Sequence, residues 1–149
     1  MARYVTTIES RLAPEEAFAY MADFSNARDW DPSVSEARRV GDDPIGTGSS
    51  FDVVARFAGR DVPLRYEIAE YEPPKRVVLE ARRPGFVSRD TITVAPTAHG
   101  SEIRYDAHLE FDGIRRLLDP VMQRIFDRIG AAAKAGMQAA LNHDRLPSG

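Results

Sequence analysis

The stretch VVLEARRPGFVSRDTITV, residues 77–94, folds back on itself if the Pro84-Gly85 pair makes a turn. That turn sets three pairs face to face: Ala81 with Ser88, Leu79 with Asp90, and Val77 with Ile92. Because side chains alternate across a strand, all six share one face, which is apolar except for a serine and an aspartate. The stretch therefore predicts an antiparallel hairpin with one buried face.

Three further turn signals extend the same face. A two-residue turn at Gly59-Arg60 pairs Phe57 with Val62, Ala55 with Leu64, Val53 with Tyr66 and Phe51 with Ile68. A turn over residues 72–75 pairs Ile68 with Leu79 and Tyr66 with Ala81. A turn over residues 97–100 pairs Val94 with Ile103, Ile92 with Tyr105, Asp90 with Ala107 and Ser88 with Leu109. The opposite face is rich in arginine and acidic residues, as expected for a sheet with one solvated side.

Helices flank these strands. Alternation runs through a first strand, Arg3 to Ser10, and six more between Val34 and Phe111, with a helix start at Pro14. After Gly113, apolar residues recur every three or four positions up to Asn142, and Asp119 and Pro120 look like the cap and first residue of a long helix. We expect an α+β fold in which one curved antiparallel sheet is covered by that C-terminal helix.

Composition narrows the class of protein. The 149 residues carry 20 basic and 23 acidic side chains, for a net charge of -3, and no basic run that would favour a nucleic-acid partner. The chain has no cysteine, and neither a secretory signal nor an integral membrane segment is evident. We expect one cytoplasmic domain over residues 1–145 and a disordered tail over 146–149. The oligomeric state stays open between monomer and homodimer.

A set of short motifs, in order and spacing, resembles the START-like (SRPBCC) superfamily, in its polyketide cyclase/dehydrase and lipid-transport branch, which is Bet v 1-like. The motifs are residues 13–18 (APEEAF), Asp23, residues 30–32 (WDP), residues 46–48 (GTG), residues 72–75 (EPPK) and residues 117–120 (LLDP). The resemblance implies a helix-grip fold, with a curved seven-stranded antiparallel sheet wrapped around the C-terminal helix and two short helices after the first strand. It also implies a hydrophobic cavity between sheet and helix, and a small hydrophobic molecule as partner.

Asp90 is the strongest candidate for a catalytic residue. The register puts its carboxyl group on the apolar face, where a lone carboxylate has a raised pKa suited to a general acid or base. Two structural alternatives remain: a β-bulge that turns Asp90 outward, or an arginine partner that makes it a brace.

Tyr66, Ser88 and Tyr105 share that face and would complete a polar end of the cavity, although the tyrosines fit the core equally well. The remaining candidates for ligand contact are apolar: Phe51, Val53, Leu79, Ile92, Met122, Phe126, Ile129 and Trp30. For Trp30, followed by Pro32, a core anchor is favoured over ligand contact. Asp29 and Asp31 are interpreted as turn residues.

Metal or cofactor chemistry is not expected. Asp106, His108 and Glu110 alternate on one strand with the spacing of metal ligands, but they belong to the solvated face. Residues 46–48 precede a strand rather than a helix, so they predict a turn and not a phosphate loop. No histidine falls on the pocket face, which excludes a Ser-His-Asp triad. We therefore predict no metal and no cofactor.

Three functions remain open. The favoured one is a module that binds a lipid, polyketide or similar hydrophobic molecule. The alternative is a polyketide cyclase or dehydratase in which Asp90 transfers a proton. A protein-partner module that uses the mouth of the pocket is the third.

Overall fold

The computed structural model describes residues 2–112 and 119–142. Strand β1 (Ala2–Ser10) leads into helix α1 (Pro14–Ala22), a 3₁₀ turn (Phe24–Asn26) and helix α2 (Ala27–Trp30). Six strands follow: β2 (Val34–Val40), β3 (Ser50–Phe57), β4 (Arg60–Glu72), β5 (Arg76–Arg83), β6 (Phe86–Thr97) and β7 (Gly100–Phe111). Helix α3 (Asp119–Asn142) ends the described chain. None of the described helices is long and apolar enough to span a bilayer.

The strands form one seven-stranded antiparallel sheet in the order β1-β7-β6-β5-β4-β3-β2. Its inner face packs against the helices and contains most of the core. Together with α3 and the two short helices, the sheet makes the helix-grip fold predicted from the sequence. Residues 113–118 and 143–149, with the side chain of Asp119, lie outside the described part, and so do the predictions of a helix cap and a disordered tail.

The strand register confirms the predicted β5–β6 and β6–β7 turns and corrects the β3–β4 turn. At the β4–β5 turn, Ile68 pairs as predicted, but a register shift after it makes Glu72 face Arg76. Leu79 faces Asp90, Ile92 faces Tyr105 and Ile68 faces Leu79, as predicted. Between β3 and β4 the prediction is wrong by two residues: Phe57 faces Arg60 and Ala55 faces Val62. The turn residues are Ala58 and Gly59, with φ angles of 53° and 79°. Two positive φ angles make a tight two-residue turn, and alanine gives no sequence signal for one.

Helix α3 is fastened to the edge strand β1 near both of its ends. The Gln123 side chain accepts from the backbone N–H of Arg3 at 2.9 Å and donates to the carbonyl of the same residue at 2.8 Å. At the far end, Asn142 Nδ2 donates to the carbonyl of Glu9 at 2.8 Å. These bonds satisfy polar groups that an edge strand leaves free, and they hold the helix across the inner face.

Two glycines let α3 approach its neighbours closely. A Cβ atom on Gly136 would lie 1.9 Å from the carbonyl oxygen of Trp30, and one on Gly130 would lie 2.3 Å from the ring of Tyr4. Glycine at these two positions therefore allows close packing of the helix. Ala133, on the same helix, is buried as well but faces a cavity.

Candidate functional site

A cavity of about 120 Å³ lies between the inner face of the sheet and the first half of α3. Its wall is mainly apolar and comes from six strands, the 3₁₀ turn, α2 and α3. Val53, Val62 and Leu64 belong to the sheet side of this wall, and Phe126 and Ile129 to the helix side. Arg56 and Phe57 lie toward the β3–β4 turn, where Arg56 is exposed. The arrangement is an apolar chamber near the β3–β4 and β5–β6 turns.

Polar side chains are grouped in this wall. The hydroxyl of Tyr105 donates to Asp90 Oδ2 at 3.0 Å, and the hydroxyls of Tyr66 and Ser88 are hydrogen-bonded at 2.8 Å. All four side chains are buried and line the cavity. They come from β4, β6 and β7, and strand alternation brings them to one face as the sequence predicted.

Asp90 lies in an environment that favours its neutral form. The residue is 4% exposed, and its pKa is raised from 3.8 to about 7, mainly by burial. The Tyr105 hydrogen bond partly offsets this rise, and the charges of Asp31 and Asp106 contribute to it. Neither structural alternative holds in the described chain: the register through Asp90 is regular on both sides, and no arginine pairs with it. The carboxyl group is available for hydrogen bonding or proton transfer inside the cavity.

Asp31 is a second carboxyl group at the cavity, partly buried, and sequence reasoning missed this. Its Oδ1 atom accepts from the backbone N–H of Ser33 at 2.9 Å and from the Ser33 hydroxyl at 2.7 Å, which is the predicted turn. The same residue lines the cavity, and burial raises its pKa despite these hydrogen bonds. No local signal marks it, because its burial depends on strands far along the chain.

The two tyrosines remain hydrogen-bond donors at any physiological pH. Burial, followed by the charge of Asp90, raises the pKa of both phenols well above 10.0. The Tyr66 ring packs edge-on against Phe24 at 4.9 Å between centroids, and the Tyr105 ring packs in the same manner against Trp30 at 5.4 Å. These contacts fix the orientation of both hydroxyls.

The structure brings only some of the predicted apolar residues to the cavity. Val53, Phe126 and Ile129 line it. Phe51, Leu79, Ile92 and Trp30 are instead fully buried in the core, and Met122 packs beside Phe111 outside the cavity wall. The reason is that α1 covers one half of the inner face, as shown by its packing against β6 and by the Phe18–Tyr71 ring contact at 5.5 Å. Only the other half stays open.

Several cavity residues were not singled out from the sequence. They are mainly large apolar residues at the open end and on β1: Tyr4, Phe24, Val34, Phe57, Phe86 and Phe111. Phe86 and Phe111 carry a usable signal, since they continue the alternation that places Ser88 and Leu109 on the inner face. Tyr4 and Phe24 carry none, because their place depends on how β1 and the 3₁₀ turn pack.

Asp106, one of the three residues considered as metal ligands, is engaged in an ion pair. Asp106 accepts a two-pronged hydrogen bond from the Arg3 guanidinium, at 3.0 and 2.7 Å, and this ion pair lowers its pKa. Across residues 2–112 and 119–142, no three His, Cys, Asp or Glu side chains are grouped as metal ligands would be. In the described chain the cavity offers hydroxyl and carboxyl groups, with the chemistry of hydrogen bonding and proton transfer.

Comparison with known proteins agrees with this architecture. Residues 1–142 match the family described as "Polyketide cyclase / dehydrase and lipid transport". Among curated proteins, the chain is 27% identical over 139 residues to a Mycobacterium tuberculosis protein named Toxin Rv0910, covering 93% of this chain and 94% of that protein.

Two solved structures illustrate the shared fold. A START superfamily protein from Mycobacterium smegmatis superposes with a TM-score of 0.76 at 12% identity, covering 95% of this chain and 97% of that chain. The di-domain ARO/CYC protein StfQ, from the steffimycin biosynthetic pathway, gives a TM-score of 0.70 at 12% identity, with 94% of this chain covering 50% of that one. The family match spans nearly the whole sequence, and the fold agrees with it. The chain belongs to the polyketide cyclase / dehydrase and lipid transport family.

Proposed function

We propose that this protein binds a small, mainly apolar molecule in the cavity between the sheet and α3. The observation that carries the proposal is the cavity itself: about 120 Å³ with an apolar wall and a few convergent polar groups. Such a combination is the usual form of a small-molecule site, in which apolar contact supplies affinity and polar groups set orientation. The family description, which includes lipid transport, supports the same function.

The size of the cavity limits what fits without rearrangement. An engineered protein cavity of about 150 Å³ holds a single benzene ring. At about 120 Å³, this cavity suits one small ring or a short branched chain. A longer lipid or polyketide would need the wall to open, and the β3–β4 turn is the nearest exposed segment.

A cavity-filling variant tests the proposal. Ala55→Leu adds three carbon atoms to a residue that lines the cavity opposite Val34 and Val62, and β4 and β5 separate it from Asp90. Ala95→Leu makes the same change at an exposed position of β6 and serves as the control. Native mass spectrometry with solvent extraction would identify a copurified compound. We expect Ala55→Leu to lose it and Ala95→Leu to keep it; equal retention by both would contradict the proposed site.

A second candidate function is proton-transfer catalysis of the cyclase or dehydratase type. The observation in its favour is Asp90, which lines the cavity, is hydrogen-bonded to Tyr105 and has a pKa raised to about 7. A general acid or base works best when its pKa lies near the working pH. Tyr105 would orient the substrate carbonyl or the carboxyl group itself.

Asp90→Asn separates catalysis from binding. The amide keeps the shape of the side chain but transfers no proton. With a polyketide chain that cyclises with loss of water, followed by mass spectrometry, we expect kcat to fall roughly 10²–10⁴-fold while the Kd changes little. Asp43→Asn, on an exposed loop, makes the same change of charge and should leave kcat intact. An unchanged kcat in Asp90→Asn would remove the catalytic function and leave the binding function standing.

The Mycobacterium tuberculosis relative is named a toxin, so the growth of cells that express this protein is a further measurement. A protein that sequesters a needed small molecule would slow the growth of the cell that expresses it. In that case Ala55→Leu relieves the inhibition and Ala95→Leu does not. Equal inhibition by both variants would show that growth inhibition does not depend on the cavity.

A further inference from the structure

The polar part of the cavity is acidic. Apart from Arg56, its polar side chains are Asp31, Ser33, Tyr66, Ser88, Asp90 and Tyr105, none of which is basic. The single arginine in the described wall, Arg56, is exposed and forms an ion pair with Asp61 at 3.5 Å. A ligand carboxylate or phosphate at this place would therefore meet two carboxyl groups and no cation, which disfavours an anionic headgroup.

Both carboxyl groups keep an acceptor free. Within residues 2–112 and 119–142, Asp90 receives one hydrogen bond, from Tyr105 to Oδ2, and its Oδ1 atom has no partner. In the same part of the chain, Asp31 uses Oδ1 for both bonds from Ser33, and its Oδ2 atom has no partner. Neither free oxygen is among the fully enclosed unpartnered atoms of the described chain, and both residues line the cavity. A ligand group that donates more than one hydrogen bond can therefore bind both oxygens.

Aromatic rings stand beside these oxygens. Phe24, Tyr66 and Tyr105 line the cavity together with the carboxyl groups, and Trp30 backs Tyr105 at 5.4 Å. Aromatic rings attract cations to their faces, and aromatic residues combined with carboxylates are a common setting for ammonium groups. The same ring faces are electronegative and therefore repel an anion.

We infer that the cavity selects an apolar ligand that ends in an ammonium group, held by Asp31 and Asp90 among the surrounding aromatic rings. The inference rests on the proposed binding function and narrows its ligand to one chemical class. An ammonium group donates three hydrogen bonds, enough for both free carboxyl oxygens. An alcohol donates one and brings no charge, so it would bind more weakly.

The protonation of Asp90 gives this selectivity a pH dependence. Below a pH of about 7 the carboxyl group is mainly protonated and attracts an ammonium group less. The groups that face it are Tyr105 from β7, Tyr66 from β4 and Asp31 from the α2–β2 turn, and Asp106 acts on it from the outer face. The tyrosines stay neutral throughout. Binding of an amine is therefore expected to tighten as the pH rises through about 7.

Four probes with the same ring test the inference: benzylamine, benzyl alcohol, toluene and benzoate. The intrinsic fluorescence of Trp30, the only tryptophan, reports on the cavity through its contact with Tyr105. Ligand-observed NMR gives an independent Kd. We expect benzylamine to bind about tenfold more tightly than toluene above neutral pH, the gain of one charge-assisted hydrogen bond, with benzoate the weakest.

Variants of Asp31 and Asp90 test whether these residues cause the preference for benzylamine. In both Asp90→Asn and Asp31→Asn the advantage of benzylamine over toluene should shrink several-fold, and in Asp90→Asn its pH dependence should disappear. Asp31→Asn keeps an acceptor for Ser33, so the turn is retained. Asp43→Asn is the control for net charge and should change neither property.

The outcomes distinguish the selectivity for ammonium groups from the proposed binding function. Toluene binding with no advantage for benzylamine, or benzoate binding as tightly as benzylamine, would overturn the inference and leave the binding function intact. If none of the four probes binds, both the inference and the proposed cavity site fail. A preference for benzylamine that survives in both aspartate variants would overturn the assigned residues and with them the inference.

Discussion

Asp90 is a buried carboxyl group whose ionised form lowers the stability of the fold. A carboxyl group in the middle of an apolar sheet face costs stability when it is ionised, because burial removes its hydration. The single hydrogen bond from Tyr105 compensates only in part, which is why the pKa remains at about 7. A purely structural position would be better filled by an apolar side chain.

The first prediction concerns the pH dependence of stability at Asp90. Because the folded-state pKa of about 7 lies above the unfolded value of 3.8, the protonated carboxyl group favours folding. This contribution is complete below pH 3.8 and is lost as the pH rises through about 7. Asp90→Asn removes this contribution. The free energy of unfolding of the variant, relative to that of the native protein, should therefore rise by up to the order of 4 kcal/mol from acidic to mildly alkaline pH.

Urea denaturation of both proteins at a series of pH values measures this difference. The comparison matters because Asp52 and Asp106 have lowered pKa values and act in the opposite direction in both proteins. A difference that does not change with pH would mean that Asp90 has an ordinary pKa in the folded protein.

Asp90 and Asp31 also differ in how far sequence could predict them. Counting alternate residues from the Pro84-Gly85 turn predicted an inward Asp90 but left a β-bulge open, and the regular pairing of its strand on both sides excludes that bulge. Asp31 follows a four-residue helix and is bonded to Ser33 in a local turn. Its burial comes from the packing of α2 beneath the sheet, which no local pattern encodes.

At the scale of elements, the β3–β4 hairpin is where the predicted register failed. Sequence reasoning took Gly59 and Arg60 as the turn, whereas Ala58 and Gly59 make it, and the strands pair two residues away from the predicted register. The inner face survived the error because a shift of two residues preserves alternation. Alanine at a positive φ of 53° carries strain that the neighbouring strands must hold.

The second prediction follows from this turn. Ala58→Asn places a residue that tolerates positive φ before Gly59 and makes the Asn-Gly pair favoured in such turns. We expect roughly 0.5–1 kcal/mol of added stability, measured as a higher urea midpoint at unchanged slope. Ala98→Asn, in the exposed β6–β7 turn, is the matched control and should have no such effect. A lower midpoint for Ala58→Asn would argue against the positive φ.

The two halves of helix α3 have different roles. Its second half closes the core with Met137 and Leu141, whereas its first half forms one side of the cavity with Phe126 and Ile129. Amphipathic spacing predicted a single continuous apolar stripe and could not distinguish these halves. The distinction arises from what lies opposite the helix: α2 and packed side chains in one part, open space in the other.

For the whole molecule, the cavity is a place where binding and stability compete. Space without atoms costs contact energy, at about 24 cal/mol per Å³ in a large core cavity. A protein selected for stability alone would fill it, as the half of the sheet under α1 is filled. We therefore infer that the half of the inner face with the cavity is maintained for a ligand.

The third prediction tests this competition. Ala55→Leu should raise Tm by roughly 2–4 °C, because filling part of the cavity recovers on the order of 1 kcal/mol in a chain of this size. The same variant should lose ligand binding. Ala95→Leu, on the exposed side of β6, should leave both properties unchanged. Calorimetry measures Tm, and a fall in Tm for Ala55→Leu would show that the wall has no room for the larger side chain.

The amino-acid sequence by itself determined the strands, their shared apolar face, the inward position of Asp90 and the family. These follow from alternation, turn residues and short motifs, which are properties of neighbouring residues. Only the tertiary structure decided where the cavity lies, which apolar residues line it, and that Asp31 joins Asp90 there. A cavity is the volume that packed elements leave between them, so its location depends on contacts between segments that are far apart in the chain.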